Sequence, residues 1–267
     1  MRAYKTMLAA ALLSLPVAAL ADGGMKSACC GDETVYSHII FSGGEISKDS
    51  WEGYTGTIIA LNRDLSKDGV LVRMMGSYGR YDYDLGGTNY DGRMWQGDVM
   101  IGYQWIRDRV DIGFYVGVDH INHKISPFDA TNPVSGSETG FKVAGDIETR
   151  TIELNLPHYF ALEGSYSTAF DTYYALGRIG LNRNNVIFGL EGWLLGDETG
   201  DAQRVGGFVM WERKVRPDLL AEVTLSGGYQ FVDNDGTLCG SFFGSEGGYA
   251  NMNLAFKFGD HRARPLK

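Results

Sequence analysis

The side chains with which this chain would do chemistry are few: five histidines, three cysteines and a set of charged residues inside otherwise apolar stretches. His120-Ile-Asn-His123 offers two imidazoles, and Asp119 or Asp129 would have to supply a third ligand for a metal. His38 with Ser42, and His158 with Ser165 or Ser167, are the pairs a lipid-acting barrel enzyme would use as base and nucleophile. Four residues along an extended strand span ~13 Å, well beyond the hydrogen-bond reach that such a pair needs, so only a pairing between strands would serve. The histidines therefore read as ordinary loop and strand residues, and no metal, cofactor or catalytic residue is expected. Cys29, Cys30 and Cys239 are odd in number and two are adjacent, which excludes a disulfide framework.

The charged residues are more informative. Glu163, Arg178, Glu191 and Arg204 each sit in an alternating apolar run, and the four runs are consecutive. A charge facing lipid costs up to a few kcal/mol, so in a membrane barrel all four point into the lumen. Opposite signs on neighbouring strands would build an internal ladder. Such a ladder acts as a structural plug, or as a polar constriction for a hydroxyl-rich glycan. Flat rings are the other route to glucan recognition, because a pyranose presents apolar C–H faces. Trp51, Tyr81, Tyr83 and Tyr90 lie in or beside the outer loops and are the stacking candidates.

These residues must be positioned by strands. Residues 1–21 carry Arg2 and Lys5, an apolar run from Met7 to Leu20, and Ala19-Leu-Ala21 as a cleavage site, so they read as a signal peptide. That apolar run is too short to cross ~30 Å as a helix. The net charge of −9 becomes −11 when Arg2 and Lys5 leave, which argues against nucleic acid as a partner. The whole chain is rich in Gly (37) and Tyr (15) and poor in Pro (6), which fits one all-β domain after residue 21. Residues 22–33 read as a flexible leader, 34–258 as the barrel and 259–267 as a polar tail.

About twelve strands are expected, at 34–43, 53–62, 69–83, 92–106, 110–120, 138–149, 158–168, 172–181, 186–193, 203–213, 218–232 and 247–258. In the fifth, Val110, Ile112, Phe114, Val116 and Val118 share one face, and Asp111, Gly113, Tyr115, Gly117 and Asp119 share the other, the period of a sheet. The period alone does not say whether the apolar face looks into a soluble core or out to lipid. The connections do help. Short, mostly basic turns (62–68, 107–109, 150–157, 182–185, 214–217) alternate with an acidic set (44–52, 84–91, 121–137, 169–171, 194–202, 233–246) that holds the two longest loops. Short turns on one side and longer loops on the other is the asymmetry of an outer-membrane barrel. Aromatics near strand ends, such as Trp95, Trp105, Trp211 and Tyr229 with Phe231, suit two interfacial girdles. The fold expected is thus an antiparallel up-and-down transmembrane β-barrel. Strand parity puts Cys29 and Cys30 on the periplasmic side and Cys239 outside, too far apart to pair.

Several stretches carry a resemblance. Trp51-Glu-Gly-Tyr-Thr-Gly56, Arg80-Tyr-Asp-Tyr83, Gly136-Ser-Glu-Thr-Gly-Phe-Lys142, Gly164-Ser-Tyr-Ser-Thr-Ala-Phe-Asp-Thr-Tyr-Tyr174, and Gly200-Asp-Ala-Gln-Arg204 leading to Gly206-Gly-Phe208 follow in order. Together, over about residues 40–258, they resemble the BcsS-type cellulose biosynthesis proteins of alphaproteobacteria. The resemblance implies a secreted outer-membrane barrel in bacterial cellulose production, with no cofactor and no established catalytic residues. On that reading its partners are outer-membrane lipid and either cellulose or the cellulose synthase and export complex. A diffusion channel for small anionic or neutral solutes, a lipid-acting barrel enzyme and a soluble periplasmic β-protein are the rivals.

Overall fold

The computed structural model describes residues 34–233 and 244–261. The expected signal peptide and leader, all three cysteines and residues 262–267 lie outside the described residues. Twelve strands run in sequence: β1 (Thr34–Ser47), β2 (Ser50–Ala60), β3 (Gly69–Leu85), β4 (Thr88–Ile106), β5 (Val110–Ser126), β6 (Gly136–Thr149), β7 (His158–Ser167), β8 (Tyr173–Arg183), β9 (Val186–Asp197), β10 (Gly200–Arg216), β11 (Leu219–Asp233) and β12 (Gly247–His261). Each pairs antiparallel with the next, and β12 returns to β1, so the sheet closes into a barrel with no free lateral edge. The β1–β12 seam runs from Thr34–His261 to Ser47–Tyr249. The last strand therefore continues past Phe258 into the segment expected as a polar tail.

The alternation decides what faces out. On β4, Trp95, Val99, Ile101, Tyr103 and Trp105 share the outer face, and Val99 and Ile101 are 54% and 55% exposed. Their partners inward are Gln96, Asp98, Met100 and Gln104, all shielded. Every other strand repeats the rule, with Ile179, Leu190 and Val205 more than half exposed. From Trp95 to Trp105 the band is eleven residues, the ~9–11 that a tilted strand needs to cross a bilayer. A belt of exposed apolar side chains of this extent has no stable place in water. The apolar faces look outward, and the soluble alternative is set aside.

The outer connections differ from the expectation. The segments expected as loops at 44–52, 84–91 and 194–202 are strand extended to two-residue turns at Lys48-Asp49, Gly86-Gly87 and Glu198-Thr199, and 121–137 shrinks to a loop at 127–135. Beyond the bilayer, outward residues such as Arg80, Asp82, Arg93 and Lys124 meet water, so apolar alternation ends while strand pairing continues. The Gly86-Gly87 turn has φ of 62° and 83°, the left-handed pair that a tight hairpin needs and that glycine adopts without strain. β3, β4 and β5, at 17, 19 and 17 residues, thus raise a wall on one side of the outer mouth. The corner at Ala169–Asp171 is a single 3-10 turn.

Candidate functional site in the lumen

The lumen is lined with carboxylates in facing pairs. Glu45 lies directly opposite Glu52 on the next strand, Asp98 opposite Asp119, Asp111 opposite Glu148, Asp146 opposite Glu163, and Glu212 opposite Glu222. Strand parity puts all ten inside. Like charges directly opposite destabilise a sheet, so each pair needs a cation from elsewhere. Lys142 on β6 donates to Asp98 at 2.7 Å and lies 3.9 Å from Asp119. Ser167 and Gln96 donate the remaining bonds to Asp119. Lys257 on β12 reaches Glu212 at 3.5 Å, and Arg150 approaches Asp111 at 3.6 Å.

Arg204 is the most constrained cation. It is 1% exposed, and its guanidinium donates to both oxygens of Glu45, at 2.8 and 2.9 Å. Its Nε donates to Gln230 at 2.7 Å, and Tyr249 packs beneath it. Glu45 is on β1 and Arg204 on β10, three strands away around the ring of twelve, so the fork spans a quarter of the wall through the lumen. A bidentate, planar pairing of this kind is what selects arginine over lysine.

The four residues expected as a ladder all face this lumen, but they do not form one continuous ladder. Arg178 donates to Glu191 at 3.0 Å across directly paired strands. Glu191 also accepts from Trp193 at 3.0 Å and Tyr249 at 2.9 Å. Arg204 leaves this row for Glu45, because its strand neighbour opposite is Trp193 rather than Glu191. Glu163 faces Asp146 and sits in the field of Arg178 and Arg73, and receives no hydrogen bond from Arg178. Sequence reasoning missed Glu45, Lys142, Asp98 and Lys257. The signal available was the same one that found Glu163: a charge on the polar face of an alternating strand.

The aromatic candidates separate. Tyr81 and Tyr83 are 1% and 9% exposed, inside a cap with Met94, Ile121, Val134 and Phe170. Neither has a ring face free for a sugar. Tyr90 stacks on Tyr83 at 4.9 Å and is half-buried. Trp51 is on the lipid-facing wall, edge-on to Tyr78, in the position of a girdle residue. The cap is closed by the 127–135 loop. Tyr83 Oη donates to Asp129 at 2.8 Å, and Asn132 Nδ2 donates to Tyr83 Oη at 3.1 Å. The hydroxyl and N–H of Thr131 hold the Asp129 carboxyl below the usual carboxylate range, helped by Tyr83 and the Asn132 N–H. At the other mouth, Tyr159, Ile187, Phe208 and Met210 cluster with Ile152 from the 150–157 loop.

His120 and His123 do not meet. Three residues apart on β5 they face opposite ways: His120 outward against Trp95, His123 inward at 3.0 Å from Tyr81 Oη. Among the described residues no group of three His, Cys, Asp or Glu is placed to hold a metal ion. His38 stacks on Phe258, and Ser42 lies on the strand's exposed side.

A closed β-barrel with an apolar exterior, a lumen holding ion pairs and a capped outer mouth defines a transmembrane barrel with a filled interior. The family model for cellulose biosynthesis protein BcsS matches residues 39–258. The chain belongs to that family, and its role is in cellulose biosynthesis. No protein of curated function matches it. Among solved structures, it is similar to the KdgM porin in complex with disordered oligogalacturonate, at 9% identity over 84% of this chain and 99% of that one, TM-score 0.39. It is also similar to the beta domain of the Bordetella autotransporter Brka, at 11% identity over 85% of this chain and 100% of that one, TM-score 0.42.

Proposed function

We propose that this chain is a non-enzymatic accessory barrel of the outer membrane that anchors or organises the cellulose export apparatus, and that glucan does not pass through its lumen. The observation that carries this reading is the Arg204–Glu45 fork, which projects through the lumen between strands a quarter of the ring apart, with Arg204 buried. The cap over the outer mouth acts in the same direction. The test is cellulose output in a strain lacking the chain, complemented by wild type or by Glu45→Gln/Arg204→Gln. Loss of secreted cellulose without the chain, restored by both forms at equal barrel amounts, is expected. Output that follows the lumenal substitutions would make the lumen the glucan path.

A second reading has one observation in its favour. The lumen carries about two carboxyls for each cation, so a channel through it would pass small cations, not the anionic solutes expected from sequence. Reversal potential in a salt gradient across a planar bilayer decides it.

A further inference from the structure

Two cavities lie along β9, β10 and β11, one on the outer face and one below it at the mouth of the barrel. The upper one is an apolar groove of about 550 Å³ walled by Phe188, Leu190, Val209 and Leu225. Its floor is glycine: Gly207 faces Gly227 on β11 and Leu190 on β9, so two side chains are missing from the wall at one height. The lower one, about 430 Å³, is lined by the outward Trp211 and Arg213, by Asn184 and Asn185 of the turn, and by Ile152, Glu212, Lys214 and Leu220 at the mouth of the barrel. It opens because pairing of β9 with β10 ends at Val186–Trp211, while β10 runs on to Arg216.

Trp211 lines the lower cavity and stands one outward position beyond Val209 of the groove. The outward residues of β10 are, in order, Gly207, Val209, Trp211 and Arg213. Trp211 is 43% exposed, and the Arg213 guanidinium lies 6.0 Å from its ring. Arg183 stands in the same row, opposite Val186, which is itself opposite Trp211. Among the described residues neither Arg183 nor Arg213 has an acidic partner, unlike Arg107, Arg150 and Arg216 at the same rim. Unpaired arginines beside an interfacial tryptophan, in a chain of net charge −9, select a phosphate. A groove leading from them into the bilayer selects a phosphate that carries a tail. From Arg213 to Gly207 is six residues, ~20 Å of strand, against ~15 Å for half the hydrocarbon core.

We infer that this face is a binding site for one glycerophospholipid of the periplasmic leaflet, its phosphate between Arg213 and Arg183 and one acyl chain in the glycine-floored groove. The site belongs to the outer wall and does not depend on the cellulose role.

The experiment is native mass spectrometry of the detergent-purified full chain. It is titrated with phosphatidylglycerol, with diacylglycerol of the same chains, and with inorganic phosphate. Wild type is expected to retain one phosphatidylglycerol and to bind diacylglycerol and inorganic phosphate far more weakly. Arg183→Gln/Arg213→Gln should weaken phosphatidylglycerol roughly thirtyfold, as two lost headgroup cations imply. Leu225→Trp, which fills the groove from its wall and leaves the glycine backbone untouched, should abolish retention. Heat-dependent gel mobility confirms that each variant is a closed barrel. Equal phosphatidylglycerol on wild type and both variants means belt lipid only and overturns the proposal. So does diacylglycerol binding as tightly, or inorganic phosphate binding as tightly by itself.

Discussion

Arg204 shows how much one lumenal side chain carries. Its charge is stable in the interior because Glu45, Gln230 and Tyr249 replace water on every side. Arg204→Ala leaves the partly shielded Glu45 facing Glu52 without its ion-pair partner. Breaking a buried pair from one side costs about 3–5 kcal/mol. The expected outcome is a fall of that size in unfolding free energy, read from urea titration in detergent. Replacing both partners, Arg204→Leu with Glu45→Leu, should cost much less, because no charge is left stranded. Lys142→Met is the parallel case. It leaves Asp98 and Asp119 face to face with no cation between them, and should cost an amount similar to Arg204→Ala in the same titration. The loop carboxyl Asp129 responds to pH. Its folded value is depressed, so its contribution is complete above the ordinary carboxylate range near pH 4 and is lost as pH falls through the lower folded value. Amide exchange in 127–135 should stay slow from pH 7 to pH 5 once corrected for intrinsic rate. Asp129→Asn should speed it at every pH.

At the scale of the element, a strand's face is legible from sequence and its register is not. The outward set of β5 and the inward placement of Glu163, Arg178, Glu191 and Arg204 follow from a period of two. Which residue meets which does not follow, because sliding a strand by two leaves its faces unchanged and changes every partner. The facing carboxyls and the fork between Glu45 and Arg204 were hidden for that reason. Strand ends beyond the bilayer were hidden by a different one. Asp84, Asn89 and Lys124 look like loop because both faces there are polar or capped, while the backbone goes on pairing. Tyrosines over lumenal glycines tie neighbouring strands. Tyr249 lies where a side chain at Gly206 would begin, and Tyr81 does the same over Gly92. Gly206→Val should push Tyr249 off Glu191 and Arg204 and cost about 1–3 kcal/mol, the range for overpacking. Tyr249→Phe, which keeps the ring and loses only the bond to Glu191, should cost about 0.5–1.5 kcal/mol.

For the whole molecule, closure and filling are separable properties. A closed barrel resists SDS until it is heated, so the unboiled, detergent-extracted protein should run faster on a gel than the boiled one. Filling should show as a conductance far below that of an open pore of the same strand number. Glu45→Gln/Arg204→Gln should raise that conductance by freeing both sides of the fork, with cations still preferred. A wild-type barrel that conducts freely would remove the basis for the anchoring role.

The seam between β1 and β12 sets the timetable of assembly. Every other strand pair is a hairpin, formed by neighbours in sequence. The seam joins residues 34–47 to 249–261, so it is the slowest contact to find. Until it forms, both edges offer unpaired amides to any passing strand. Until closure the chain thus carries an edge that only its own last strand, or a chain that binds strands, can occupy.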